Sequence, residues 1–181
     1  ITEIKIPPHL KVISVDAFSN CFSLCKIEFS DDSELETIKF NAFYGTEIQS
    51  ITIPKSVTKL QAGWNYGMLN LREVKIKEGN NYFKNIDDSF IVGKTNQKSN
   101  EFDLLVYVRN NLTNVIIPPF IKRIQPYSFA YSKVENVILQ SNVTRIYEST
   151  FYKCENLKKV EIRSNLGFKS IERYAFSDSS I

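Results

Sequence analysis

The residue types that run chemistry are scarce in this chain. There is one histidine, His9, beside Pro7 and Pro8, and there are three cysteines, Cys21, Cys25 and Cys154. An imidazole next to a thiolate could form a base–nucleophile pair, and both are zinc ligands. The Cys21–Cys25 spacing, C-x-x-x-C, has no second ligand pair to complete a metal site, and a lone His after two prolines reads as a surface turn residue. Cys21 and Cys154 fall at small, buried positions of a recurring pattern, which suits core thiols. Asp31-Asp32 and Asp87-Asp88 could hold a cation or exchange protons, but adjacent aspartates are also ordinary turn formers. With only six glycines, no phosphate-cradling loop occurs. No acid, base, nucleophile or ligand set converges, so the chain reads as a non-enzyme: no catalytic residue, no metal site and no cofactor is expected.

The totals point the same way. The chain has 181 residues and a formal net charge of +3. Its basic residues are spread without a stripe, which disfavours nucleic acid as a partner. No apolar run approaches the roughly 18 residues that cross a bilayer as a helix, so this segment is not expected to insert in a membrane. An odd, low cysteine count argues against a disulfide scaffold. The two Asn-x-Thr sequons, at Asn111 and Asn142, carry little weight in an Asn-rich chain. The first residue is Ile1 and no leader is visible.

What the sequence does show is a repeat. An apolar-x-apolar pair occurs at Ile4/Ile6, Ile27/Phe29, Ile51/Ile53, Val74/Ile76, Val115/Ile117, Val137/Leu139 and Val160/Ile162. Successive spacings are 23, 24, 23, 41, 22 and 23 residues. Seven or nine positions after most pairs comes another apolar residue: Ile13, Ile38, Leu60, Ile124, Ile146 and Ile171. Five beyond most of those is a Phe (Phe18, Phe43, Phe129, Phe151, Phe176), each preceded by Ala, Ser or Thr. A unit this short cannot bury its own apolar face. Stacked units can, with Ile on Ile and Phe on Phe in continuous ladders. The expected fold is a repeat solenoid of α/β type over 1–181, about seven units of 22–25 residues, with a parallel sheet on the concave side and irregular or helical convex returns. In the third unit Trp64 and Asn65 replace the small residue and Phe. The long unit, 78–111, holds two β-rich runs, "SFIVG" and "LLVYV", parted by "KTNQKSNE", and reads as an inserted β-hairpin.

The pattern I-x-I-P-x-x-(V/L/I)-x-x-I-x-x-x-A-F-x-x-C-x-x-L resembles that of the BspA-type leucine-rich repeats, over essentially the whole chain. The resemblance implies a large surface protein of a mucosal bacterium or a protozoan parasite. It also implies a location at the cell surface or outside the cell, and adhesion to host-cell or extracellular-matrix protein. It brings no catalytic residue.

The alternation of strand side chains places Lys26, Glu28, Thr52, Glu73, Lys75, Asn114, Ile116, Asn136, Ile138 and Glu161 on the outward, concave face. These are the candidate protein-binding residues. Ile116 and Ile138 would make a small apolar patch with a charged rim, the anatomy of an interface, unless the hairpin folds over them. The hairpin is a second candidate recognition element. Both ends of the segment lack a polar cap. The competing reading is therefore a structural spacer or self-assembling piece of a longer array, associating end to end.

Overall fold

The computed structural model describes residues 1–140, 142–163 and 167–181, and the chain divides into two compact units, Ile1–Asp88 and Ser89–Ile181. Both are β-solenoids, with about seven turns in the chain.

In the first unit the first strand of each turn is β1 (Glu3–Ile6), β3 (Lys26–Phe29), β5 (Ser50–Ile53) or β7 (Glu73–Ile76). The second is β2 (Val12–Ile13), β4 (Thr37–Ile38) or β6 (Lys59–Leu60). The short β8 (Lys84–Ile86) follows. β1 pairs with β3 and β5 with β7, all parallel and in register, Ile4 against Ile27 and Ile51 against Val74. The second strands form their own parallel ladder, β2-β4-β6, stacking Ile13, Ile38 and Leu60, all buried. Each such buried aliphatic side chain is worth about 1.5–3 kcal/mol.

The second unit repeats the scheme. Its first ladder is β11 (Asn114–Ile116), β13 (Asn136–Leu139) and β15 (Lys159–Ile162), and its second strands are β12 (Arg123–Ile124), β14 (Arg145–Ile146) and β16 (Ser170–Ile171). The aromatic ladder runs Phe129–Phe151–Phe176, with ring centroids 4.7 and 5.2 Å apart. In the first unit Phe18 stacks on Phe43 at 5.6 Å. Trp64 is fully buried at its substituted position.

The returns are not helical; no helix occurs among the described residues. The physical reason lies in the backbone. Each return except that of the long unit carries two left-handed residues four apart: Asp16 and Asn20, Asn41 and Gly45, Gly63 and Gly67, Tyr127 and Tyr131, Ser149 and Lys153, Tyr174 and Asp178. A right-handed helix cannot pass through such residues. Local three-residue turns, such as Ser19 N–H to Asp16 C=O and Cys21 N–H to Phe18 C=O, alternate with bonds to the next turn of the solenoid. Phe18 N–H donates to Ala42 C=O at 2.8 Å, and Phe151 N–H to Ala175 C=O at 2.8 Å. The return is thus a third stacked ladder, in which the hydrogen bonds a helix would keep to itself tie neighbouring turns together.

The long unit holds an antiparallel pair, β9 (Phe90–Gly93) with β10 (Leu104–Val108), and a bulge between Leu105 and Tyr107. β10 also pairs in parallel with β12, Leu105 against Ile124, so it is the second strand of its own turn. Both hairpin strands are largely buried, and the exposed part is the connecting loop, mainly 95–101. Asp103 clasps that loop: its carboxylate accepts the Thr95 N–H at 2.9 Å and the Thr95 hydroxyl at 2.8 Å, and lies 3.7 Å from the Lys122 ammonium.

Candidate protein-binding surfaces

Strand alternation puts the even-spaced apolar residues into the core and their neighbours on the open face of each first ladder. In the second unit the open face carries two rows. Asn114, Asn136 and Lys159 stand in register, as do Ile116, Ile138 and Glu161. The Asn136 side-chain amide donates to Asn114 Oδ1 at 2.9 Å. Glu161 is held between Lys159, at 3.1 Å, and Arg163. The Arg163 guanidinium and then the Lys159 ammonium pull its carboxyl below the usual range. Ile116 is 58% exposed and Ile138 half-buried beside it. The hairpin does not cover them, because β10 belongs to the second ladder.

The first unit places Lys26, Glu28, Thr52, Glu73 and Lys75 on the corresponding face, with Glu3, Lys5 and Ser50. Most charges there are paired. Lys26 Nζ lies 3.0 Å from Glu3 and 2.5 Å from Glu28, and Lys75 lies 3.1 Å from Glu73. Hydrogen bonds to Glu28 and then Glu3 raise the Lys26 pKa, and the bond from Lys26 together with its charge holds Glu28 down. Exposed pairs of this kind add little stability, because solvent screens them and two long side chains must be held in place. Lys5 has no carboxylate within 4 Å among the described residues.

A groove of about 720 Å³ opens on this face, lined by Lys5, Lys26, Glu28, Asp31, Ser50 and Lys77 among others. It lies over a break in the first ladder. β3 and β5 are neighbours, yet they belong to different sheets. At the equivalent place one turn earlier, Cys25 and Lys26 both donate to Thr2 C=O; one turn later, Arg72 and Glu73 both donate to Gln49 C=O. The Gln49 and Ser50 N–H groups should reach Cys25 C=O in the same way, and no such bond forms among the described residues. Ladder bonding resumes on both sides of the break, at Glu47 N–H to Leu24 C=O and Thr58 N–H to Glu36 C=O. Two causes are local. Pro54 has no N–H to close the far end of the break. The β3 turn is also two residues longer than those beside it: Ile27 to Ile38 spans eleven positions, Ile4 to Ile13 and Ile51 to Leu60 only nine. The longer loop carries Asp31, whose carboxylate reaches Lys77 two turns away and is held in its charged form by that ammonium.

Of the ten candidate residues, five share the first-ladder face of the second unit. In the first unit Lys26, Glu28 and Thr52 line the groove, while Glu73 and Lys75 stand on β7. Sequence reasoning weighed Asp31 only with Asp32, as an adjacent carboxylate pair, and did not single out Ser30, Pro54 or Lys77 as part of a site. The signal was the nine-residue step from Phe29 to Ile38, readable in the spacing but without meaning until the strands are placed side by side.

The residues considered for chemistry sit in unlike settings. His9 Nδ1 lies 2.9 Å from Glu34 Oε1 on the surface. The exposed Cys25 thiol donates to Thr2 C=O at 3.2 Å. Cys154 is fully buried, its thiol donating to Phe129 C=O at 3.1 Å, and burial pushes its pKa up to about 11. Cys21 is only half-buried, not a full core thiol like Cys154. Among the described residues no three His, Cys, Asp or Glu side chains gather around a common point, and no helix is long and apolar enough to cross a membrane.

Comparison with known proteins fits this architecture. No curated protein matches the sequence. Among solved structures, the pneumococcal vaccine antigen PcpA superposes with a TM-score of 0.79 at 27% identity, over 89% of this chain and 39% of that one. A leucine-rich cell surface protein from Faecalibacterium prausnitzii superposes with a TM-score of 0.60 at 16% identity, over 100% of this chain and 64% of that one. A leucine-rich repeat protein from Eubacterium ventriosum gives 0.54 at 16%, over 91% and 61%. The chain therefore spans less than two thirds of the length of each. The sequence matches the BspA type leucine rich repeat region in six copies, over residues 1–102 and 105–181, and the chain belongs to that family.

Proposed function

We propose that this chain is an extracellular recognition module that binds a protein of a host cell surface or of extracellular matrix through its first-ladder faces. The observation that carries the reading is the patch on the second unit. Ile116 is majority-exposed on a strand with Ile138 beside it, the asparagine row on one side and Glu161, Lys159 and Arg163 at the rim. An apolar centre with a hydrogen-bonding, charged border is how stable protein interfaces are built. The family supports protein interaction as the general role, and the likeness to a pneumococcal vaccine antigen supports a surface location. The hairpin contributes through its loop, since its strands are buried.

The test is binding of the purified chain to immobilised matrix and mucosal cell-surface proteins, beside an Ile116→Asp/Ile138→Asp variant shown to be folded. Loss of at least about tenfold in affinity, some 1.4 kcal/mol, is expected. Binding that survives the double substitution would move recognition off this patch, and no binding by either protein would favour the spacer reading.

A further inference from the structure

We infer that the break between β3 and β5 is a binding subsite for the carboxylate of an acidic peptide, a ligand class that rests on the protein-recognition reading above and sharpens it.

A parallel ladder satisfies every N–H and C=O along its length, and leaving such groups unpaired is costly unless something else bonds them. Here no bond joins the Gln49 or Ser50 N–H to the Cys25 C=O among the described residues, while bonding between turns is intact before the strand, at Glu47 N–H to Leu24 C=O, and beyond it, at Thr58 N–H to Glu36 C=O. The equivalent N–H pairs one turn earlier and one turn later each share a single carbonyl oxygen, so this pair can share one oxygen of a carboxylate in the same way.

Size limits the occupant. β3 and β5 still have Cα atoms within 8 Å of one another. A strand inserted between them would need roughly twice the 4.8 Å strand spacing. What enters is therefore a side-chain or terminal head group, and the rest of the ligand lies in the groove above.

Charge selects its sign. Lys5, Lys26 and Lys77 line the groove against Glu28 and Asp31. The two carboxylates are already engaged, Glu28 by Lys26 and Asp31 by Lys77. Lys5 is the ammonium left without a carboxylate within 4 Å among the described residues, and it stands in register with Glu28 on the strand beside the break. An incoming carboxylate would take the Ser50 and Gln49 N–H groups and neutralise Lys5. The hydroxyls of Ser50 and Thr52 offer further donors to a peptide backbone. A phosphate or sulfate would be attracted by the same lysines but would meet Glu28 and Asp31 with more charge.

The probe is a fluorescein-labelled hexaglutamate peptide, titrated by fluorescence anisotropy, with hexaglutamine and a heparin-derived hexasaccharide as the other arms. Saturable hexaglutamate binding is expected near about 0.1–1 mM, weakening as salt rises, with hexaglutamine at least tenfold weaker. Lys5→Ala, at an exposed position, should weaken it at least fivefold, whereas Lys59→Ala on the second ladder should leave it unchanged. In amide-resolved NMR the Gln49 and Ser50 signals should move most. The inference is overturned if hexaglutamate does not saturate below about 10 mM, if hexaglutamine binds equally, if Lys5→Ala and Lys59→Ala behave alike, or if the hexasaccharide binds at these amides and the peptide does not. Each of those results leaves the matrix-binding comparison of wild type with Ile116→Asp/Ile138→Asp untouched, so failure here is separable from failure of the general reading.

Discussion

Gly67→Ala is the substitution whose cost the structure defines best. Gly67 is the second left-handed residue of its return, with φ near +71°, and its carbonyl accepts the Gly45 N–H at 3.2 Å. A Cβ there would stand 2.1 Å from Tyr44 Cδ2 and 2.5 Å from Cε2. That ring has little freedom to retreat, because it stacks on Tyr66 with centroids 5.9 Å apart. Two terms therefore add. The left-handed backbone costs an alanine about 1–2 kcal/mol, and forcing a methyl group against a packed ring costs about 1–3 kcal/mol, for a total of roughly 2–5 kcal/mol. Gly79 separates the terms: its φ is +85° and nothing lies within 4 Å of the added Cβ. Gly79→Ala should lose only about 1–2 kcal/mol. Urea denaturation followed by tryptophan emission is the assay, since the sole tryptophan, Trp64, is buried three residues before Gly67. If the two variants lose the same stability within about 0.5 kcal/mol, the Tyr44 contact is not the constraint and the stacked-return account fails.

Other outcomes follow from the same packing. Phe129→Ala should lose about 3–5 kcal/mol, because the ring is fully buried against Phe151 at 4.7 Å; a loss under about 1 kcal/mol in equilibrium unfolding would show that the aromatic ladder does not hold the unit together. Phe18→Ala should lose clearly less, as Phe18 is only half-buried. Lys75→Ala, on the open face and paired only with exposed Glu73, should leave the melting temperature nearly unchanged. Asp103→Ala should cost about 1–3 kcal/mol by leaving the Thr95 donors unpaired, with faster amide exchange at Thr95. Its pH dependence has a definite sign. Burial raises the Asp103 pKa, but the Thr95 N–H and hydroxyl and the Lys122 charge more than offset this, so the folded-state value lies below the ordinary one. The Asp103 contribution is then complete above the unfolded pKa near 3.9 and fades as pH falls through the lower folded value. The gap between wild type and Asp103→Ala should close in acid and stay constant from about pH 6 to 8; a gap that widened in acid would contradict this.

Much of the molecule was legible as text. Period-two alternation within Ile-x-Ile marks a strand, and recurrence at 22–24 residues marks a stack, because a unit that short has no core of its own. Those two facts determine the parallel ladders, the buried Ile and Phe columns, and which of Lys26, Glu28, Ile116 or Glu161 faces outward. Trp64 could also be placed, since a buried ladder admits only another large apolar group. The returns were not legible: Asp16, Tyr131 and Lys153 adopt left-handed backbone although nothing in their side chains demands it, and it is the bonds to the adjacent turn, such as Tyr131 N–H to Tyr152 C=O, that hold them there. The hairpin's type could be read from its two β-rich runs, but not its burial, which comes from β10 pairing with β12. The groove belongs wholly to the tertiary level. The two extra residues around Asp31 and the missing N–H of Pro54 are plain in the sequence, yet each is harmless alone. They open a ladder only because stacking sets β3 beside β5, and hydrogen bonds between turns depend on both strands at once, which local sequence cannot specify.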